Sequence, residues 1–275
     1  MSASEGRAEL DALVELAEDA LADGDIARSL ALCGQVVAVM PDHAGAHFLF
    51  GETYRNERAL DDAEDAYRRA IQIDGSHAAA WSGLSMVLIE MHAMDEALLA
   101  ATRAIRLDPD APDGWWCRSL IRERLGDIAG SDRDQRRASL RDPVAFPWPV
   151  RLSDAVVEAI TRSAIRSMHP SIQSYLAQVA IVLEEVPSAD ALGAFDPPPP
   201  AHELLGLFSG YNLMDRNDGI AGSGLPGSIT LFRRNLERFA HDRDMLIEEL
   251  RVTVLHEVGH YLGLDEDDLH DRGLD

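Results

Sequence analysis

A 34-residue period in the first half of the chain limits the possible folds more than any other feature. Pro41 and Pro109 lie two such intervals apart, and Gly75 stands midway between them. Trp81 and Trp115 are separated by one interval. A period of this length predicts a stack of similar structural units, because each unit buries its apolar face only against its neighbours.

The residues between these markers have the spacing of amphipathic helices. Residues 61–71 place apolar side chains at helical intervals, with acidic residues at the start and arginines near the end, which matches the helix macrodipole. The pattern extends over residues 10–145 and predicts three and a half to four helical repeats. The outer repeats are weaker, as expected for helices that face water, and Arg118 and Arg122 occupy normally apolar positions.

The period and its small-residue positions, among them Gly51, Ala63, Ala97 and Ala104, resemble the tetratricopeptide repeat. This resemblance implies an α-helical repeat solenoid whose concave surface binds a protein or peptide partner. The chain has no lysine, which argues against the terminal-carboxylate ligands that lysine clamps hold. Alternatively, the apolar members of this surface pack against the rest of the chain. The residues assigned to the surface are Phe48, Glu52, Asn56, Ser82, Met86, Ile89, Trp116, Leu120 and Glu123.

Composition limits the partners and the compartment. All 25 basic residues are arginines, and 48 acidic residues give a formal net charge of −23. Such a surface repels polyanions, so we expect neither nucleic acid nor an anionic membrane as a partner. No apolar run is long enough to span a membrane, and the start of the chain does not resemble a signal peptide. Cys33 and Cys117 indicate buried thiols in a reducing compartment, so we expect a cytoplasmic protein.

A proline-rich segment, residues 142–149, divides the chain into predicted domains at 1–145 and 146–275. The second half predicts a small α+β domain. Its expected elements are a helix beginning at Ser153, a buried strand over residues 179–183, and strands at residues 207–208 and 229–232. A long helix over residues 243–262 follows, with an apolar residue at every fourth position.

The long helix carries the residues His256-Glu257-Val258-Gly259-His260-Tyr261-Leu262-Gly263-Leu264-Asp265-Glu266. Histidines four residues apart project from one helix face, where both imidazoles can bind one zinc ion. Glu257 is then placed to act as a general base on the metal-bound water. Gly263 predicts a left-handed helix end, after which Glu266 is the candidate third ligand.

The spacing separates the known classes of zinc peptidase. Thermolysin-like enzymes take a glutamate from a second helix 20 or more residues later, whereas only 15 residues follow His260 here. Metzincins have a third histidine where this chain has Glu266. Residues 149–275 instead resemble the small bacterial zincin-like metallopeptidases, whose pattern often has aspartate as the third ligand. Asp265 and His270 therefore remain alternative ligands.

The resemblance implies one zinc ion per chain and a zinc-dependent peptidase. Two imidazoles and one carboxylate leave a position for water, whose pKa falls to about 7. Residues 229–233 are the expected edge strand for an extended substrate, and Tyr211 and Tyr261 are possible oxyanion donors. Two alternatives stay open: an interaction scaffold with an inactive zincin-like domain, and a peptidase that the repeats autoinhibit.

Overall fold

The computed structural model divides into two units, Met1–Phe146 and Pro147–Asp275. The first unit is built of helices. The structure describes residues 3–177, 179–196, 198–210 and 227–271. Its described part of the first unit contains eight helices in four consecutive pairs, joined by short turns. They are α1 (Ala3–Ala22), α2 (Ile26–Val39), α3 (Ala44–Asn56), α4 (Leu60–Ile73), α5 (Ala78–Glu90), α6 (Met94–Leu107), α7 (Pro112–Arg124) and α8 (Ile128–Arg141).

A ring nitrogen in the first helix of three successive pairs bonds the backbone carbonyl six residues earlier. Because a carbonyl oxygen only accepts, each ring N–H is the donor, and the histidine in the set therefore carries its proton on Nε2. Each bond ties the start of a helix to the loop before it. The three bonds are His47 Nε2 to Pro41 O (2.9 Å), Trp81 Nε1 to Gly75 O (3.1 Å) and Trp115 Nε1 to Pro109 O (3.0 Å).

The turn inside each helix pair contains one residue in the left-handed region. These residues recur at intervals of 34, although their side chains differ. Two are glycines, for which the conformation is undemanding, and two are not, so the backbone of those two turns is strained. Their φ angles are 77° at Gly24, 58° at Arg58, 62° at His92 and 79° at Gly126.

A close contact around Tyr67 joins two of the helix pairs. The ring is fully buried, and it lies against Gly51 of α3 and Gly83 of α5. A Cβ atom at Gly51 would lie 2.6 Å from the ring, and one at Gly83 would lie 2.4 Å from it. Only glycine allows the backbones of α3 and α5 to approach the ring this closely, which explains why small residues recur in the repeat.

The last helix pair replaces a buried alanine with an ion-pair network. Asp134 stands where the two preceding repeats have Ala100 and Ala66, and its side chain is fully buried. Arg118 binds both of its carboxylate oxygens, at 2.7 and 3.0 Å, and Arg122 binds Oδ2 at 2.7 Å. The two arginines at normally apolar positions therefore neutralise a carboxylate that the same pair buries.

The second unit contains a three-stranded sheet and six helices among its described residues, which confirms the predicted fold class of helical repeats followed by a small α+β domain. The elements are α9 (Asp154–Ser167), α10 (Pro170–Leu176), β1 (Ala180–Glu184), α11 (Ala189–Leu192), β2 (Gly206–Ser209), β3 (Ser228–Phe232), α12 (Arg233–Phe239), α13 (Arg243–Leu262) and α14 (Glu266–His270).

The order of the strands corrects two sequence expectations. The sheet has the order β1-β3-β2, with β1 parallel and β2 antiparallel to β3. Residues 229–233 therefore belong mainly to the central strand, which is paired on both sides and cannot accept a substrate strand. The segment expected as a buried strand is instead β1, which lies at an edge of the sheet as far as the described residues show it, and Val182 in it is 40% exposed.

The apolar side of α13 anchors the core of the second unit. Leu246, Leu250, Val254 and Val258 are all at most 2% exposed and follow the predicted four-residue spacing. They pack in one cluster with Ile229 and other residues of β3 and α9. This packing fixes the orientation of α13 and therefore the positions of the partly buried His256 and His260.

Both cysteines are free and buried, and burial raises the pKa of the Cys33 thiol to about 11 and that of Cys117 to about 12. Neither thiol is thus ionised near neutral pH. Among the described residues, no helix has the length and apolar character needed to cross a membrane.

The strained turns predict opposite effects of two substitutions at the same place in neighbouring repeats. His92→Gly removes a left-handed conformation from a residue with a Cβ and should stabilise the chain by about 0.5–1 kcal/mol. Gly126→Ala places a Cβ on a residue that is already left-handed and should destabilise the folded chain by about 1 kcal/mol. Nothing lies within 4 Å of the added Cβ, so the cost comes from backbone strain alone. Urea unfolding followed by circular dichroism measures the free energy of unfolding of both variants. A change of the same sign in the two variants would contradict this account of the turns.

Candidate metal centre

The imidazoles of His256 and His260 face each other on a partly buried face of α13. Their Nε2 atoms are 3.1 Å apart, and the ring planes meet at 82°. The four-residue interval places them one helical turn apart on the same face. Imidazole nitrogens placed this close together are the type of ligand that zinc prefers.

The end of α13 fixes the tautomer of His260. Nδ1 of His260 lies 3.1 Å from the carbonyl oxygen of Leu264, which only accepts, so Nδ1 carries the proton. In the neutral ring the Nε2 lone pair is then directed at His256. Gly263 makes this contact possible because its φ of 92° turns the chain back over the last helical turn. Such a bond to the second ring nitrogen is typical of histidines that bind metal.

The side chain of Glu257, on α13, packs against the strand β2. This side chain is buried, and its Oε2 accepts a 2.6 Å hydrogen bond from the backbone N–H of Phe208. Gly206 makes room for it, because a Cβ at that position would lie 3.0 Å from Oε1 of Glu257 and 2.7 Å from Cγ2 of Thr253. The strand thus both binds the carboxylate and limits the positions it can take.

A cavity of about 430 Å³ opens beside His256 and Glu257. We call it the α13–β2 cavity, since residues of α13 and of the segment leading into β2 form most of its wall. His260 does not line it. Its lining residues are Phe195, Pro199, Glu203, Leu204, Leu205, Gly206, Glu249, Val252, Thr253, His256 and Glu257.

The candidates for a third metal ligand follow Gly263. Asp265 caps the start of α14, and its Oδ1 accepts a 2.9 Å bond from the backbone N–H of Asp268, so its carboxylate is engaged in the cap. His270 is exposed at the end of α14, and the side chain of Glu266 lies outside the described part of the chain. Among the side chains that are described, no group of three histidine, cysteine, aspartate or glutamate residues converges.

The two tyrosines considered as oxyanion donors have different outcomes. Tyr261 is 1% exposed, and its ring packs against that of Phe208 at 5.6 Å, so it does not line the cavity. Tyr211 lies outside the described residues. The prediction for Tyr211 therefore stays untested.

The repeat unit has a depression of about 280 Å³ on the surface that the sequence assigns to partner binding. It is lined by Phe48, Glu52, Ser82, Met86 and Trp116, together with residues not predicted, such as Arg55 and Asp113.

Other residues assigned to that surface lie elsewhere. Ile89, Leu120 and Glu123 are each at most 3% exposed, and Ile89 and Leu120 belong to the core of the repeats. Asn56 is exposed but does not line the depression. Within the depression, Glu52 is held by two bonds, from the hydroxyl of Tyr67 at 2.6 Å and from Arg55 at 3.0 Å.

Three contributions to the site were not predicted from the sequence: the Phe208 amide, the Leu264 carbonyl and Glu249. The first two are backbone groups, for which a sequence carries no direct signal. Glu249 could have been found, because it precedes His256 by seven residues and so lies on the same side of α13.

The bond between β2 and Glu257 predicts a change in amide exchange. Glu257→Ala removes the acceptor from the Phe208 amide, whose exchange with deuterium should accelerate by at least about tenfold as its hydrogen bond is lost. The Phe232 amide is the internal control, because it bonds the Leu205 carbonyl at 2.8 Å inside the sheet and should stay protected. Amide-resolved exchange by NMR measures both; unchanged exchange at Phe208 would contradict the bond.

Two family models match different parts of the chain. Residues 176–274 match the zincin-like metallopeptidase model, and residues 14–80 match a tetratricopeptide repeat model. A search of curated proteins finds no significant match.

Three similar solved structures have low sequence identity to this chain. The tetratricopeptide repeat domain of Arabidopsis OM64 is 20% identical, with a TM-score of 0.35, over 36% of this chain and 83% of that one. TTC0263, a tetratricopeptide repeat protein of Thermus thermophilus, is 19% identical, with a TM-score of 0.45, over 51% and 78%. The MamA protein is 14% identical, with a TM-score of 0.42, over 61% and 86%.

The two matched segments agree with the two units of the fold in their order along the chain. The helical pairs carry the repeat match, and the match to the metallopeptidase model includes the sheet and all of α13. In this chain, tetratricopeptide repeats lie N-terminal to a zincin-like domain.

Proposed function

We propose that the chain is a zinc-dependent metallopeptidase in which Glu257 is the general base. The observation that carries the proposal is the arrangement on α13, where the Nε2 atoms of His256 and His260 converge at 3.1 Å beside the buried carboxylate of Glu257. The α13–β2 cavity supports it, since His256 and Glu257 both line an opening that a substrate can enter.

His256, His260 and Glu266 would hold one zinc ion per chain. The donor set fits this metal, because the Leu264 carbonyl fixes the proton of His260 on Nδ1 and Asp265 is engaged as a helix cap, which favours Glu266 among the acids after Gly263. When bound, zinc polarises a peptide carbonyl and lowers the pKa of water.

Glu257 moves the proton in the proposed reaction. Its carboxylate accepts a proton from the attacking water and delivers it to the nitrogen of the leaving amine. The N–H of Phe208 fixes the orientation of this carboxylate, and burial between α13 and β2 limits the water around it. A general base of this kind contributes roughly 10²–10⁴-fold to a rate.

An extended substrate would lie along β2 rather than β3. The outer edge of β2 borders the α13–β2 cavity, whereas β3 is paired on both sides. The carbonyl of Leu205 accepts from the Phe232 amide of the neighbouring strand segment, so strand alternation directs the backbone groups of Gly206 to the open edge. Gly206 is therefore the backbone position at which a substrate strand would pair.

The repeats would bind a protein or peptide partner or regulate the peptidase. Tetratricopeptide repeats generally mediate protein–protein interaction, and the depression lined by Phe48, Glu52, Met86 and Trp116 combines apolar and charged groups. In this proposal the depression recruits substrates or regulators to the same polypeptide as the catalytic site.

Paired substitutions test the peptidase. Glu257→Gln keeps both imidazoles and should retain about one zinc per chain while cleavage of an unfolded protein falls by at least 10². His256→Ala should lose both the metal and the activity. Elemental analysis of protein purified without an affinity metal, beside a gel assay of casein cleavage, measures the two effects.

Full cleavage by a folded Glu257→Gln protein would overturn the assignment of the base. Absence of zinc in the unsubstituted protein, even after zinc is added back, would overturn the assignment of the ligands.

The repeat match favours a second candidate function, an interaction scaffold that carries an inactive zincin-like domain. This candidate predicts a stable partner complex that survives His256→Ala, with no cleavage by the unsubstituted protein. Affinity capture with the unsubstituted protein and with His256→Ala, followed by the casein assay, separates the two candidates. Loss of the complex in a folded His256→Ala protein would exclude a metal-independent scaffold.

A further inference from the structure

The α13–β2 cavity combines apolar walls with a carboxylate that the proposed chemistry does not use. Phe195, Pro199, Leu204, Leu205 and Val252 supply the apolar surface. Glu249 lines the same cavity seven residues before His256 on α13. A volume of about 430 Å³ lies within the range of small-ligand pockets, roughly 300–1,000 Å³, so the cavity can take a long side chain.

Glu249 differs from its neighbour Glu248 in both environment and partners. Glu248 is exposed outside the cavity and is paired with Arg251, whose Nη2 lies 2.7 Å from Oε1. Among the described residues, Glu249 has no cation within ion-pairing distance, and no arginine lines the cavity. A half-buried carboxylate without a counter-charge is costly and is the feature that a bound cation would compensate.

The electrostatics around Glu249 agree with this geometry. Burial raises the pKa of Glu249, and the negative charge on Glu248 raises it further. The charged form is therefore unfavourable in the unbound protein, and a cation placed in the cavity would gain by stabilising it. Glu203 also lines the cavity and adds a second carboxylate. Its side chain is 63% exposed.

We propose that the α13–β2 cavity is a subsite for an arginine or lysine side chain of a bound peptide, with Glu249 as its counter-charge. The apolar wall would pack against the methylene stem while the charged end reaches Glu249, as long cationic side chains do at apolar surfaces. The proposal rests on the proposed function only in treating the bound peptide as a substrate.

Peptide binding to the full chain carrying Glu257→Gln tests the subsite without cleavage. The probes are fluorescein-labelled octapeptides of alanine and leucine in which one arginine, norleucine or glutamate is moved along the sequence. Fluorescence anisotropy gives the dissociation constants. The best arginine peptide should bind roughly fivefold to tenfold more tightly than its norleucine counterpart, as expected for one partly buried charge pair.

Three further substitutions in that background assign the preference to one residue. Glu249→Gln should abolish the arginine preference, and Glu249→Arg should replace it with a preference for glutamate. Glu248→Gln is the matched control, one residue away and outside the cavity, and should leave the preference unchanged. A purely structural role of Glu249 would weaken all three peptide classes together and would not reverse their order.

The outcomes separate this inference from the peptidase itself. Failure of every peptide to bind, or an arginine preference that Glu249→Gln leaves intact, would overturn the subsite. Cleavage by the unsubstituted protein without a preference for basic peptides would overturn the subsite while supporting the peptidase. A Glu249-dependent arginine preference in a protein that cleaves none of the peptides would support the subsite and count against the peptidase.

Discussion

The hydrogen bond from the Phe208 amide to Glu257 joins the two parts of the second unit on which the site depends. It connects the outer edge of β2 to α13 at 2.6 Å, and it requires glycine at position 206, since a Cβ there would contact the same carboxylate. The apolar residues of α13 hold the helix against β3 from the other side. With both contacts in place, the orientation of α13 is fixed, and so is the face of the helix that carries His256 and His260.

Much of this arrangement could be predicted because it is local in sequence. The four-residue spacing of Leu246 and its successors defines α13, and the structure gives the helix the predicted bounds, Arg243–Leu262. The left-handed φ of Gly263 follows from the preference of helix ends for glycine. These features depend on residues fewer than five positions apart, so a single sequence contains the information.

Contacts between distant segments could not be predicted in the same way. The pairing of β1 with β3 brings together residues 48 positions apart, such as Ala180 and Ser228, and nothing in either strand states which neighbour it takes. The position of β3 at the centre was therefore missed. The last repeat was hard to recognise for a similar reason. Arg118 and Arg122 break its apolar pattern, and they are explained by the buried carboxylate of Asp134 on the next helix.

The carboxylates of the chain differ in how their charge is compensated, and this difference separates structural from functional positions. Asp134 is fully buried and bound by arginines, so its interactions are complete within the repeats. Glu248 has Arg251, and Glu257 has the Phe208 amide. Among the described residues, Glu249 has no such cation, and it lines a cavity, so its charge is available to a ligand. Acidic residues are common in a protein with a net charge of −23, so their presence alone does not indicate a binding site. A carboxylate indicates one when the described residues around it lack the cation that neighbouring carboxylates have.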